Sequence, residues 1–316
     1  MGLFDKIKEP IVYKDSTNIQ KQIEELKKLG STEDIEKDIK LLECGLYGEN
    51  KVLYELKNSH IGMYILQDIY VEYKGLNAQV DFVIITHKNI YYIECKNLVG
   101  DIEIDHNGNF IRTFKYDNHI YKEGIYNPIT QNQRHLELFR QIQVDNVGFL
   151  RKNLVGNYFY TWHVPVVVLA NDKSILNDKY APQDVKNKVI KVDKLIDYIR
   201  QIENNSQDNL NDKEMLEFAE SYKSMNVVKQ SSIVDKYNNT KVIDKNKLRQ
   251  ELREYRYHKA QENGDKPYFV FNDNTLDDLI TKLPLNREDL DKVIGFGTNK
   301  IDKYGDDIIN IIKKYV

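Results

Sequence analysis

Three apolar runs set almost end to end constrain this chain most. YILQDIYVEY (64–73), QVDFVIIT (79–86) and IYYIECKN (90–97) are rich in Ile, Val and Tyr and are separated by short polar turns, the pattern of consecutive strands. The second and third form an antiparallel hairpin. With THKN as the turn and Ile85 paired to Ile90, Asp81 falls directly opposite Glu94. Side chains at i and i+2 of a strand share a face, so Glu94 and Lys96 point together while Cys95 points away. One face of the sheet then carries Asp81, Glu94 and Lys96, with the two carboxylates about 5 Å apart. Carboxylates that close repel unless a cation lies between them.

The flanking segments fix the fold class. GLYGENKVLYELKN (45–58) puts Leu46, Leu53 and Leu56 on one helical stripe, and Glu49 falls on that same stripe, so a carboxylate faces the core side. DIEIDHNGNFIR alternates around Asn107-Gly108, a hairpin signal, and Asn127-Pro128 precedes the helix-like ITQNQRHLELFRQIQ. HVPVVVLAN (163–171) reads as a continuous, buried strand. Helix, three strands, hairpin, helix and strand in that order imply a mixed α/β sheet flanked by helices.

Charge and composition narrow the function classes. At 316 residues the chain has room for two domains, and its net charge of -3 excludes a generally basic, DNA-coating protein. Nucleic-acid contact must come from local patches. Cys44 and Cys95 are the only cysteines, with no C-x-x-C, so a zinc finger or disulfide framework is unsupported and a reducing cytoplasm fits best. Cys95 reads as a core thiol, and no histidine sits in an HNH-like arrangement. No apolar run approaches the roughly 18 residues of a membrane span. The start MGLFDKIKEP lacks the apolar core of a signal peptide, and Lys6 stands where a myristoylation signal after Gly2 wants Ser or Thr. The expected protein is cytoplasmic, with no membrane partner.

The expected organisation is a helical extension over 1–41, an α/β domain over 42–171, a helical segment and linker over 172–244 ending in SSIVDKYNNTK, and a helical tail over 245–316. In the tail, KLRQELREYRYHKAQENG ends at Gly264, TLDDLITKL is opened by a Thr275 cap and stopped by Pro284, and NREDLDKVI and NKIDKYGDDIINIIKKY follow. No phosphate loop of the G-x-x-x-x-G-K-[ST] type occurs, so any helicase is a separate partner.

Hard carboxylate oxygens with room for water suit Mg²⁺ or Mn²⁺. Lys96 beside Glu94 suits stabilisation of charge on a phosphorane-like transition state, and Glu49 reaching over from its helix suits completion of the metal shell. That layout belongs to phosphodiester hydrolysis. A salt-bridge cluster on a solvent-facing sheet is the competing reading of the same residues.

GLYGENKVLYELKN, LNAQVDFVIIT, IYYIECKNLVGDIEI and NPITQNQRHLELF together resemble the NERD (nuclease-related) domain of the PD-(D/E)XK, restriction-endonuclease-like superfamily, over roughly 42–170. The resemblance implies a restriction-endonuclease-like mixed sheet and a metal-dependent nuclease. It carries the Glu of GE to Glu49, the Asp of QVD to Asp81, the Glu and Lys of ECK to Glu94 and Lys96, and the Gln of NPITQ to Gln131. It implies metal ligation by Asp81, Glu94 and Glu49. The proline usual before the active Asp is replaced by Val80.

The tail from Leu252 to about Ile312 is similar to the HRDC domain found at the ends of RecQ-type helicases and RNase D, a small all-α helical bundle that binds nucleic acid or a protein. Within it, IGFGTNKIDKYG places Gly295 and Gly297 before a helix, with Lys300 and Lys303 close by, as a phosphate contact requires. The glycines also suit a plain interhelical turn, and Asp302, Asp306 and Asp307 lower the local positive potential. The chain reads as a nuclease targeted by its HRDC tail to nucleic acid, DNA first, or to a separate helicase. The rival is a non-catalytic nucleic-acid-binding or adaptor protein that keeps the nuclease fold.

Overall fold

The computed structural model describes residues 6–15, 17–146, 158–207, 209–229, 232–238 and 244–315. Two compact units emerge: residues 1–21 with 41–230, and residues 22–40 with 231–316. Met1, Gly2 and part of the expected linker, residues 231 and 239–241, lie outside the described residues.

The first unit is built on a six-stranded sheet in the order β1 (Pro10–Lys14), β2 (Met63–Tyr73), β3 (Leu76–Thr86), β4 (Ile90–Lys96), β8 (His163–Leu169) and β10 (Val189–Lys191). Its centre is the expected meander, β2 (Met63–Tyr73), β3 (Leu76–Thr86) and β4 (Ile90–Lys96). The β3–β4 ladder pairs Ile85 with Ile90 and runs to Phe82 opposite Ile93, as the hairpin reading requires. β8 (His163–Leu169) lies parallel to β4, with Glu94 opposite Val167. Helix α3 (Pro128–Asn146) covers one face through Leu136, Phe139 and Ile142; the other face packs on Val52 and Leu56 of α2 (Glu33–Lys57) and on Leu195 and Ile199 of α6 (Leu195–Asn205). The mixed sheet between helices is the expected fold class.

Several elements depart from the sequence expectation. PIVYK, placed in a helical extension, forms β1 (Pro10–Lys14), parallel to β2 at the sheet edge; a leading proline is tolerated there because the first residue of an edge strand need not donate to a ladder. α2 runs unbroken from Glu33 to Lys57, so the expected domain start at 42 falls inside a helix. Residues 172–229, expected as a helical segment, add β10 (Val189–Lys191) to the main sheet and β9 (Leu176–Asn177) to a second one. α7 (Asp212–Met225) belongs to the first unit's core through Met215, Ala219 and Tyr222. The Asn107-Gly108 hairpin joins β5 (Asp101–Ile104) and β6 (Phe110–Tyr116). It extends through a second hairpin at Asp117 and Asn118, both with positive φ, into β7 (His119–Ile125). Within SSIVDKYNNTK, Ser232–Asn238 is helical (α8), and Lys236 (3.0 Å) and the Tyr237 hydroxyl (2.6 Å) both hold the Asp38 carboxylate.

The tail of the second unit is a helical bundle. α9 (Lys245–Asn263) stops at Gly264, whose φ of 68° closes the left-handed cap that a Cβ disfavours. α11 (Asp273–Lys282) is capped by Asn272, whose side chain accepts from the Thr275 N–H at 2.9 Å, so the expected Thr275 cap lies three residues too late. α12 (Arg287–Asp291) and α13 (Thr298–Lys313) complete it, with Leu252, Phe271, Leu279, Leu290, Ile308 and Ile312 buried between them. α10 (Pro267–Val270) was not expected.

Candidate functional site

The charged residues of β3 and β4 meet the N-terminal turns of α3. Asn127 caps α3 by accepting from the Ile129 (2.9 Å) and Thr130 (3.2 Å) N–H groups, with Pro128 at the first helical position, where its missing N–H costs nothing. One turn in, Asn132 donates to the carbonyls of Tyr92 (2.8 Å) and Val166 (3.1 Å), which pins the helix over the β4–β8 pair. Gln131 and His135, four residues apart on one helical face, are thereby aimed at the end of β4.

There, Lys96 Nζ lies 2.7 Å from Glu94 Oε1 and donates to Gln131 Oε1 at 3.2 Å. His135 Nδ1 stands 3.9 Å from Glu94 Oε2 and, although buried, has no hydrogen-bond partner. Glu94 is only 3% exposed. The β3–β4 pairing would next set Asp81 opposite Glu94, and at that step Asp81 Oδ2 accepts from the Cys95 N–H at 2.7 Å.

Glu49 arrives from α2. A Cβ on Gly48 would lie 2.6 Å from the Asn97 Cβ, and Asn97 donates to the Cys44 carbonyl at 2.7 Å. The glycine of the GE pair is what lets α2 approach the end of β4. Glu49 is 7% exposed.

These carboxyls hold protons abnormally well. Burial pushes Glu49 up to about 8, with the Asp68 and Glu94 carboxylates adding to it. Burial also raises Asp81 well above the usual carboxylate range, reinforced by Glu94 and Glu49 and opposed by the Cys95 N–H and Lys96. Glu94 is raised by burial against the pull of Lys96. His135 moves the other way, down to about 4, through burial and the neighbouring Lys96 and Lys229 ammonium groups. The Cys95 thiol is raised by burial and the three carboxylates, which fits a partly buried thiol rather than a nucleophile.

Four of the five expected residues, Asp81, Glu94, Lys96 and Gln131, are linked directly or through adjacent backbone, and Glu49 lies within their electrostatic reach. The expected three-carboxylate metal shell is not assembled as such: among the described residues no group of three or more His, Cys, Asp or Glu is placed to hold a metal ion. Two residues escaped the sequence reading. His135 was legible as the residue four after Gln131. Asp68 sits in β2 with a φ of 52°, bracketed by the pairs Gln67–Phe82 and Ile69–Val80, and so stands opposite Asp81; nothing in YILQDIYVEY marks that left-handed position.

In the tail, Gly295 has a φ of 81° and a Cβ there would meet Thr275 Oγ1 at 2.6 Å, so this glycine is required by the turn, while Gly297 caps α13 in open space. Arg287 holds Asp306 (2.7 Å) and Asp302 (3.4 Å), and the Tyr255 hydroxyl donates to Asp307 (2.9 Å). The acids expected to lower the local potential are thus engaged. Lys300 is half-buried and Lys303 exposed on the first turns of α13.

Comparison with known proteins follows this division. Residues 45–170 match the family model of the nuclease-related domain, NERD, and residues 245–312 match that of the HRDC domain. The chain therefore carries a nuclease-related domain followed by an HRDC domain. A solved structure, D. radiodurans RecQ HRDC domain 3, is 31% identical over a match that covers 22% of this chain and 93% of that one, with a TM-score of 0.22. No curated protein matches the chain. No helix among the described residues is long and apolar enough to cross a membrane.

Proposed function

We propose that the nuclease-related domain hydrolyses phosphodiester bonds of nucleic acid, DNA foremost, with Mg²⁺ or Mn²⁺, and that the HRDC domain brings nucleic acid or a partner such as a separate helicase to it. The observation that carries this reading is the convergence of Glu94, Lys96, Gln131 and His135 at the end of β4, beside Asp81. Buried, mutually repelling carboxyls around one lysine are costly for a fold to keep and are found where chemistry needs them.

The donor chemistry fits a hard divalent ion. Asp81 and Glu94 would hold it, since such ions take one or two carboxylates and leave the rest to water and phosphate. When bound, the ion supplies Lewis acidity at the phosphoryl group. Lys96, oriented by Glu94 and Gln131, offers an ammonium to the charge that develops on the phosphoryl oxygens. Glu49, its carboxyl pushed up to about 8 by burial and the neighbouring Asp68 and Glu94 carboxylates, would keep its proton at neutral pH and serve as a hydrogen-bond or proton donor. His135, neutral at that pH, closes the site from α3 without adding charge.

The test is a panel of labelled single- and double-stranded DNA and RNA incubated with the full chain and Mg²⁺, Mn²⁺ or EDTA. The expected result is cleavage with either metal, none in EDTA, and none by Glu94→Gln. Tight binding without cleavage of any substrate assigns the chain to the adaptor reading instead.

A further inference from the structure

Beside the carboxylates lies a cavity of about 200 Å³ whose wall includes Lys14, Thr17, Lys21, Asp68, Tyr70 and Lys229. We infer that it binds a phosphate group of the nucleic-acid strand, flanking the one that is cleaved. That choice of ligand rests on the nuclease reading; the cavity's preference for an anion does not.

Three ammonium groups face one carboxylate in this cavity, and the carboxylate is already engaged: Asp68 accepts from the Gln79 side chain at 2.7 Å and from the Asn18 N–H. Two of the lysines are fixed by neutral oxygens. Lys14 donates to the carbonyls of Gln67 (2.6 Å) and Asp68 (2.9 Å), and Lys229 to Gln79 Oε1 at 2.7 Å. A neutral acceptor orients the Lys229 ammonium without cancelling its charge, while Lys14 also feels the Asp68 and Asp15 carboxylates, so the wall carries ordered point charges of the kind that binds phosphate. Thr17 adds a hydroxyl that is buried and makes no hydrogen bond, a donor for a phosphate oxygen. The buried Tyr70 ring lies under Lys229, 5.6 Å from Nζ to centroid, and helps to hold that ammonium in place.

The cavity is tied to the catalytic carboxyls through its own wall. Asp68 stands across the β2–β3 pair from Asp81 and is the strongest charged influence on Glu49. Lys229 grips Gln79, two residues before Asp81, and contributes to the lowered His135. A strand whose phosphate sat among these lysines would run toward Glu94 and Lys96.

The experiment measures binding of fluorescein-labelled 20-mer single-stranded DNA, with a 5′-phosphate or a 5′-hydroxyl, to the full chain in EDTA by anisotropy across a salt series. Lys21→Gln with Lys229→Gln is expected to raise Kd about tenfold and to lower the salt slope by about 1 to 2, the loss for one to two phosphate contacts. Lys21→Gln alone, at an exposed position, should give a smaller change in the same direction with an unaltered melting temperature. An internal phosphate weakens the double variant on both oligonucleotides alike; a terminal phosphate confines the loss to the phosphorylated one. Wild-type Kd and slope in both variants would overturn the inference. Because no turnover occurs in EDTA, a failed nuclease reading shows separately, as lysine-dependent binding by a wild-type chain that cleaves nothing with Mg²⁺.

Discussion

The nuclease-related and HRDC regions handle charge in opposite ways. Around β4, Glu49 and Glu94 are buried and, with Asp81, hold their protons above the usual carboxylate range. In the tail, carboxylates lie at the surface against cations: Asp273 on Arg256, Asp278 on Lys282, Asp289 on Lys292 and Asp306 on Arg287, each held below the ordinary value first by a hydrogen bond from its partner. The first region keeps an electrostatic conflict that a ligand can relieve. The second has settled these charges internally. Burial, more than the number of charged residues, separates the two regions.

Removing the conflict in the first region should have the largest effect. Asp81→Asn or Glu94→Gln is expected to reduce cleavage by about 10³ or more while leaving the melting temperature unchanged or raised, because a neutral amide no longer repels its neighbours. A fall in melting temperature that tracks the loss of activity would mark the carboxylates as structural. Lys96→Ala comes next, with a loss of roughly 10² in single-turnover rate and unchanged Mg²⁺ affinity, as for a group acting mainly in the transition state. Equal loss of metal affinity would make Lys96 a support for Glu94 instead.

The same contrast explains what the sequence disclosed. The β2–β4 meander was legible because its Ile, Val and Tyr runs are long and their turns short, and the Ile85–Ile90 register follows from the THKN turn alone. β1, β9 and β10 were not: five, two and three residues long, they depend on parallel pairing to strands remote in sequence. Glu49, Asp81, Glu94 and Lys96 stood out as charges at positions whose periodicity calls for burial. Asp68 broke the same rule, but its place beside Asp81 depends on a left-handed residue in mid-strand. The α11 cap was misplaced because Asn272, Thr275 and Asp278 repeat at the spacing of a capping box, and only the fold selects Asn272.

A smaller effect tests the raised carboxyls directly. With a folded pKa of about 8 against an ordinary 4.5, Glu49 keeps in the folded state a proton that the unfolded chain has released. Its contribution to stability is complete below pH 4.5 and is lost as pH rises through 8. In EDTA the melting temperature should therefore fall between pH 5 and pH 9, and Glu49→Gln should remove about 5 °C of that fall. The same pH dependence in wild type and variant would contradict the burial account.

The tail should respond least. Lys300→Ala with Lys303→Ala is expected to weaken nucleic-acid binding about fivefold across sequences and to flatten its salt dependence. Arg287→Ala, which releases Asp302 and Asp306, should weaken it about twofold through added negative charge. Unchanged binding in both would assign this surface to a protein partner.

The central claim, that the buried carboxyls at the end of β4 serve metal-dependent cleavage rather than binding or folding, is met most directly by single-turnover cleavage of the preferred substrate by wild type and Glu94→Gln, with Kd measured on the same preparations. Kd values within about twofold and a rate lower by about 10³ or more in the variant are expected. Equal rates, or a rate that falls only in proportion to lost binding, would contradict it.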